Sequence, residues 1–336
     1  MIAPVLLASA SVFHGTPFPP QQAPWFVSLT TRAPFCGGTL VARDRVLTAA
    51  HCVQGADPGR VSVRLGGRRL AWRGAIFPTT YEEIPSPVHP EDPRASGTVD
   101  DIAVLLLEQP VTDVAPAPLA DPAPIVGERS LTLGKGRTQA GPSGGSPVVL
   151  GADQQVSDGC AAAYGPTLFR AAKHLCTLDS TPNAAQACAG DSGGPVMVQR
   201  NGSWALAGLV TWGGETQGRD CGEGLPDVSE RIAAHADLLT KTGAVAPWAE
   251  RRVRVRRSGK VRRCVIGKWH PASAKFTVRW WREAPPTTEG QEIVPGKRTY
   301  LKGGGKTRTL RSGKVGCSVT ARTAGGWATE ETYNQL

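Results

Sequence analysis

Ser192 lies in the stretch CAGDSGGP, Cys188 to Pro195, with an aspartate before it and three glycines around it. A serine hydroxyl is a weak nucleophile until a base takes its proton during the attack. Glycine backbone can approach closely enough to offer N–H donors to a developing oxyanion. The same letters also spell an ordinary Gly-rich turn, so a base, an orienting group and a scaffold must come from elsewhere in the chain. His51, in TAAHC, supplies an imidazole suited to accept a proton near neutrality and pass it to a leaving amine. Asp101, in DDIAVLLL, supplies a carboxylate able to hold the imidazole tautomer and stabilise the imidazolium. Each motif alone is weak, and the three in the order His, Asp, Ser are much stronger.

Residues this far apart in sequence need a rigid frame to meet. PWFVSLT, GGTLVARDRVLTA, RVSVRLGG, LAWRGAIF and DIAVLLL alternate or cluster their apolar residues as half-buried or core strands do. PVMVQ, WALAGLVTW and LPDVSERI form a second strand-rich block over 194–230. IAAHADLLTK has helical spacing and stops at Gly243, a plausible C-cap. The 336 residues hold 40 Gly and 28 Pro, which fits a turn-rich, mostly β chain long enough for two cores. No run of 18 apolar residues occurs, so no membrane span is expected.

Charge divides the chain in two. Residues 244–336 carry a net +14 and residues 1–243 a net −4, so the overall +10 belongs to the tail. The eight cysteines, at 36, 52, 160, 176, 188, 221, 264 and 317, contain no CxxC pair, which points to four disulfides in an oxidising compartment rather than a zinc knuckle. The opening MIAPVLLASAS is apolar and ends in small residues, like the tail of a secretory signal without its positively charged leader.

The motifs around His51, Asp101 and Ser192 resemble those of chymotrypsin-type, trypsin-like serine proteases, over residues 12–243. The resemblance implies an all-β fold: a double six-stranded β-barrel of the chymotrypsin type with a C-terminal helix. His51 and Asp101 would be base and orienter, Ser192 the nucleophile, and the N–H groups of Gly190 and Ser192 the oxyanion hole. Ile102 selects Asp101 over Asp100 as the orienting aspartate. Asp191 would receive an N-terminal ammonium, and counting back from PWFVSL puts that terminus at Val12, after an 11-residue signal or propeptide remnant. His14 departs from the family's glycine there, and VFHG also reads as an ordinary loop. Disulfides Cys36–Cys52, Cys160–Cys176 and Cys188–Cys221 are implied in the same way. His89-Pro90 matches a structural His-Pro pair of the family, and Gly134-Lys135-Gly136 stands where its Gly-Trp-Gly would be.

For substrate binding the resemblance puts Gln186 at the pocket floor, where trypsins carry aspartate, and Asp227 on its wall. Asp227 would favour a Lys or Arg side chain, or else fill the pocket and bond Gln186. Thr211, Trp212 and Gly213 would meet the substrate backbone, with the Thr211 hydroxyl free to donate to Asp101. No cofactor is implied, and VRLGGRRLAWRG has no acidic cluster where the family's calcium loop lies, so no metal is expected.

After a linker at 244–252, residues 253–336 resemble immunoglobulin-like β-sandwich modules that follow secreted enzymes in actinobacteria, through Cys264, Trp269, Trp280, Tyr300 and Cys317. Their charge suits an anionic cell-wall polymer or polysaccharide through residues 251–336, or a highly charged soluble spacer; RRVRVRR is no specific nucleic-acid motif. The expectation is a secreted or cell-surface, monomeric serine endopeptidase acting on protein or peptide substrates. The alternative is a non-catalytic binding or adhesion protein on a protease fold, although such relatives typically lose one of the three residues.

Overall fold

A computed structural model of the chain describes residues 12–91, 95–138, 145–258, 261–283, 287–289, 292–294, 298–304, 307–309 and 314–332. The chain divides into two units, one holding the residues up to Val53 with Pro58–Thr242, the other Gln54–Asp57 with Gly243–Leu336.

In the first unit the alternating segments form two antiparallel barrels. One sheet runs in the order Arg68–Leu70, Ser62–Leu65, Phe26–Thr30, Pro34–Ala42, Arg45–Thr48, Ala103–Leu107 and Trp72–Ile76. GGTLVARDRVLTA is a hairpin turning at Arg43 and Asp44, between strands Pro34–Ala42 and Arg45–Thr48. The second sheet runs Thr16–Pro17, Leu150–Val156, Arg129–Gly134, Pro195–Arg200, Ser203–Trp212, Asp227–Arg231 and His174–Leu178. Leu150–Val156 also pairs with His174–Leu178, closing six strands into a barrel with Thr16–Pro17 as an added edge. Leu29, Leu40, Leu47, Ile76 and Leu105 fill the first barrel, and Leu133, Leu150 and Leu175 the second, all almost fully buried. Each such side chain withdrawn from water contributes about 1.5–3 kcal/mol.

The helix expected in IAAHADLLTK is shorter than its pattern. A 3-10 turn covers Ile232–His235 and an α-helix only Ala236–Thr240, because His235 is held at φ −132°, outside the helical range. Its ring is drawn instead to Glu230, 3.0 Å away. A second helix, Cys160–Leu168, was not foreseen, and it is kinked at Gly165–Pro166.

In the second unit, Arg254–Ser258, Val261–Val265 and Thr307–Thr309 make one sheet, and Arg298–Gly304, Lys275–Glu283, Lys314–Thr323 and Gly326–Glu331 another. Cys264 and Cys317 join the two sheets by a disulfide, inside a core that includes Trp269 and Trp280. The segment expected as a linker is partly ordered: Trp248–Arg251 pairs with Lys268–His270. Trp248 stacks on His270 at 4.5 Å, and Glu250 bonds Lys268 and His270, both at 2.6 Å. The Tyr300 backbone lies in strand Arg298–Gly304.

Candidate active site

Strand register brings His51 and Asp101 together. Ala103–Leu107 pairs with Arg45–Thr48, Ala103 opposite Thr48, so the residues just before one strand meet those just after the other. His51 lies in the short helix Ala50–Val53, tied back by the Cys36–Cys52 disulfide. Asp101 is fully buried. Its Oδ1 accepts the His51 backbone N–H at 2.9 Å, and its Oδ2 faces His51 Nδ1 at 2.7 Å. Burial of the ring opposes its charging, but the Asp101 carboxylate outweighs that and leaves the His51 pKa raised. Asp100 points elsewhere, to Lys173 at 2.8 Å and Thr80 at 2.6 Å.

Ser192 comes from the second barrel, between Cys188, bridged to Cys221, and strand Pro195–Arg200. The loop's N–H groups fall into two sets. Those of Asp191, Gly193 and Gly194 donate to Cys188, Val210 and Asp191 carbonyls at 2.7–2.9 Å. Among the described residues the N–H groups of Gly190 and Ser192 have no acceptor. Gly190 sits at φ +100°, a left-handed backbone that a side chain would strain. Unengaged backbone donors are what an oxyanion requires.

Asp191 turns away from the cleft and is fully buried. Burial pushes its pKa up to about 7, although the N–H groups of Cys188 and Gly136 donate to it at 2.8 and 2.7 Å. A Cβ on Gly134 would lie 1.9 Å from Asp191 Oδ1, so this wall accepts only glycine. Val12 is also fully buried, packed with Leu150, Ala152 and Ala185.

A cleft of about 430 Å³ is lined by His51, Gly190, Ser192, Thr211, Trp212, Gly213 and Asp227, among others. Asp227 Oδ2 accepts the Gln154 amide at 2.7 Å and the Ala187 N–H at 2.9 Å. Burial raises its pKa to about 7 against those donors. Gln186 stands outside the lining: its Nε2 donates to Leu225 O at 2.8 Å and its Oε1 accepts Gly222 N–H at 2.6 Å. Glu215, which sequence reading missed, is a second acid at this cleft. Its Oε2 and Asp227 Oδ1 each lie 3.4 Å from where a Cβ on Gly213 would sit, and burial raises the Glu215 pKa as well.

The expectation that Thr211 donates to Asp101 fails. The Thr211 hydroxyl donates to Val228 O at 2.9 Å, because the pairing of its strand shifts register between Val210 and Trp212. Thr98 supplies the bond instead, donating to Asp101 Oδ2 at 2.9 Å. Its position three residues before Asp101 is too ordinary a signal to have marked it. His89 lies exposed, 3.6 Å from Glu91. The two groupings with metal-like spacing, Cys36-His51-Cys52 and Cys188-Asp220-Cys221, each contain a disulfide, so neither pair of sulfurs offers a thiolate.

A half-buried histidine backed by a buried aspartate and sharing a cleft with a serine, at the seam of two barrels, belongs to the serine hydrolases of chymotrypsin-like fold. The protein-family model for Trypsin matches residues 12–239. The trypsin of Saccharopolyspora erythraea is 33% identical over 236 residues, covering 65% of this chain and 92% of its own. The vitellin-degrading protease of Bombyx mori is 34% identical over 203 residues, covering 57% of this chain and 72% of its own. Among solved structures, mouse neuropsin, a serine protease, matches with a TM-score of 0.54 at 27% identity, covering 67% of this chain and 97% of its own. The chain belongs to the trypsin family of serine proteases, and it is a serine endopeptidase.

Proposed function

We propose that the protein is a secreted endopeptidase in which Ser192, His51 and Asp101 form the catalytic triad. Ser192 Oγ attacks the scissile carbonyl while its proton passes to His51. The tetrahedral oxyanion rests on the N–H groups of Gly190 and Ser192, and the C–N bond then breaks as His51 returns the proton to the leaving amine. Water attacks the resulting acyl-enzyme by the same route. The observation that carries this reading is the pair of unengaged N–H groups beside the His51–Asp101 pair. Cleavage before Val12 would release an ammonium that pairs with Asp191, relieving a buried carboxylate that has no cation among the described residues. Ser11 precedes that bond, so a signal peptidase or a protease preferring small residues is the natural activator, rather than trypsin-like self-cleavage.

Asp227 gives the cleft its preference for Lys or Arg before the scissile bond, a cation being the partner that makes a buried carboxylate tolerable. Residues 253–336 form an immunoglobulin-like module, supported by the intersheet Cys264–Cys317 bridge on Trp280, and their charge suits an anionic cell-wall polymer. Four disulfides, and the absence among the described residues of any helix long and apolar enough to cross a membrane, favour the extracellular assignment.

The test is labelling with a fluorophosphonate on protein beginning at Val12, followed by peptide mapping. Modification at Ser192, abolished by Ser192→Ala and His51→Ala, is the expected result. Folded, disulfide-complete protein that takes up no label would overturn the triad assignment.

A further inference from the structure

His51 and Asp101 come from the first barrel and Ser192 from the second, so catalysis depends on the register between barrels. Several bonds hold that register next to the site, among them the N–H of Gly37, in the first barrel, donating to Ser192 O at 2.8 Å. Trp212 Nε1 donates to Thr98 O at 3.1 Å, and Lys173 reaches Asp100 at 2.8 Å. One bond is made at the catalytic aspartate itself, where the backbone N–H of Asp101 donates to Glu230 Oε1 at 2.8 Å.

Glu230 lies in strand Asp227–Arg231 of the second barrel and is fully buried. A buried carboxylate close to a second one is expensive to keep, and it persists only when well partnered. One imidazole bonds this one and a second stands near it. His235 Nε2 lies 3.0 Å from Oε2, and His174 Nε2 lies 3.6 Å from Oε1. His174 Nδ1 accepts the N–H of Arg170 at 3.0 Å, which leaves the His174 proton on Nε2, facing Glu230. Asp100, just before the catalytic residue, is held at φ +56°, a left-handed conformation that strains a non-glycine residue. Such strain survives only where surrounding contacts fix it. Lys173, Thr80 and the Ile102 N–H hold Asp100 itself, and Glu230 holds the N–H of the residue that follows it.

We infer that Glu230 is a positioning residue, which anchors the backbone of Asp101 to the second barrel and so sets the His51 ring against Ser192. What it supplies is reach: a carbonyl-type oxygen at the end of a side chain long enough to meet the Asp101 N–H. The inference rests on the assignment of Asp101 made above. Since the same strand begins at Asp227, one strand fixes both the cleft wall and the catalytic register.

Two mild substitutions separate reach from charge. Glu230→Gln keeps the reach and removes the charge; Glu230→Asp keeps the charge and shortens the side chain by one methylene. On protein beginning at Val12, the inactivation rate constant and the reversible affinity for a fluorophosphonate are measured, together with the proton resonance of His51 Nδ1. The expected result is a Gln variant within a few-fold of the parent, and an Asp variant whose inactivation slows roughly tenfold to a hundredfold with its reversible affinity unchanged and its His51 resonance displaced. Equal rates in both variants, a Gln variant slower than the Asp variant, or a loss confined to affinity would each overturn the inference. If the parent itself takes up no label, the triad assignment fails instead.

Discussion

Replacing Asp227 by asparagine removes one ionisable group from the cleft, keeping an amide oxygen able to accept from Gln154 and Ala187 while the acceptor facing Gln186 becomes an NH2. Burial raises the Asp227 pKa from 3.8 to about 7. At 1.36 kcal/mol per unit, ionising it in the empty cleft costs on the order of 4 kcal/mol. The folded pKa exceeds the unfolded one, so the folded state gains by keeping the proton. That gain is complete below about pH 4 and is lost as pH rises through about 7. In thermal or urea unfolding the Asn variant should therefore be the more stable protein at about pH 8, by up to ~4 kcal/mol, with the gap closing as pH falls toward 4. Activity should move the other way. With a Lys or Arg side chain bound, the carboxylate regains a partner, and truncating such a buried pair typically costs about 2–5 kcal/mol. The Asn variant should lose roughly thirtyfold to a few thousandfold in kcat/KM on Lys and Arg peptides, and little on alanine peptides. An unchanged preference for basic residues, or a stability gap flat with pH, would refute the reasoning.

Thr98→Val deletes the buried hydroxyl on Asp101 Oδ2 and should lower kcat about tenfold to a hundredfold with KM nearly constant; Thr211→Val, which loses only a bond to Val228 O, should leave kcat within a few-fold. Gly134→Ala drives a methyl into Asp191 Oδ1 and should suppress fluorophosphonate labelling even in protein cut before Val12, while the Cys36–Cys52 bridge still forms on mass mapping. Replacing Cys264 and Cys317 by serine should destabilise the C-terminal module by about 2–5 kcal/mol, seen as an earlier unfolding transition in calorimetry, with peptide hydrolysis unchanged.

The site was legible where its chemistry is written locally. TAAHC, DDIAVLLL and GDSGGP each place a residue of the proposed site beside neighbours that fix its backbone, and the strands between them alternate plainly enough to imply a β frame. What escaped were contacts that neighbours in sequence do not announce, some of them crossing from one barrel to the other. Glu230 meets Asp101 from 129 residues away, and nothing in PDVSERI distinguishes its glutamate from a surface one. Thr211 misled because a one-residue shift in strand pairing turns its hydroxyl to the neighbouring strand. The IAAHADLLTK helix misled for a related reason. Helical spacing registers which residues are apolar, but not that His235 is wanted elsewhere as a partner for a buried charge. Glu215 sits in GGETQGRD, a turn-like run with no periodicity to mark its acid as facing inward.

The four bridges share one property: each cysteine is joined to the next in the sequence, 36 to 52, 160 to 176, 188 to 221 and 264 to 317. Eight cysteines allow 105 pairings, and this one alone is reached by bonding every thiol to the first unpaired thiol before it. A chain delivered N-terminus first into an oxidising space would thus complete each bridge before the cysteines of the next arrive. No bridge spans the two barrels or the two units, so each can close within its own stretch of chain without waiting for the rest to emerge.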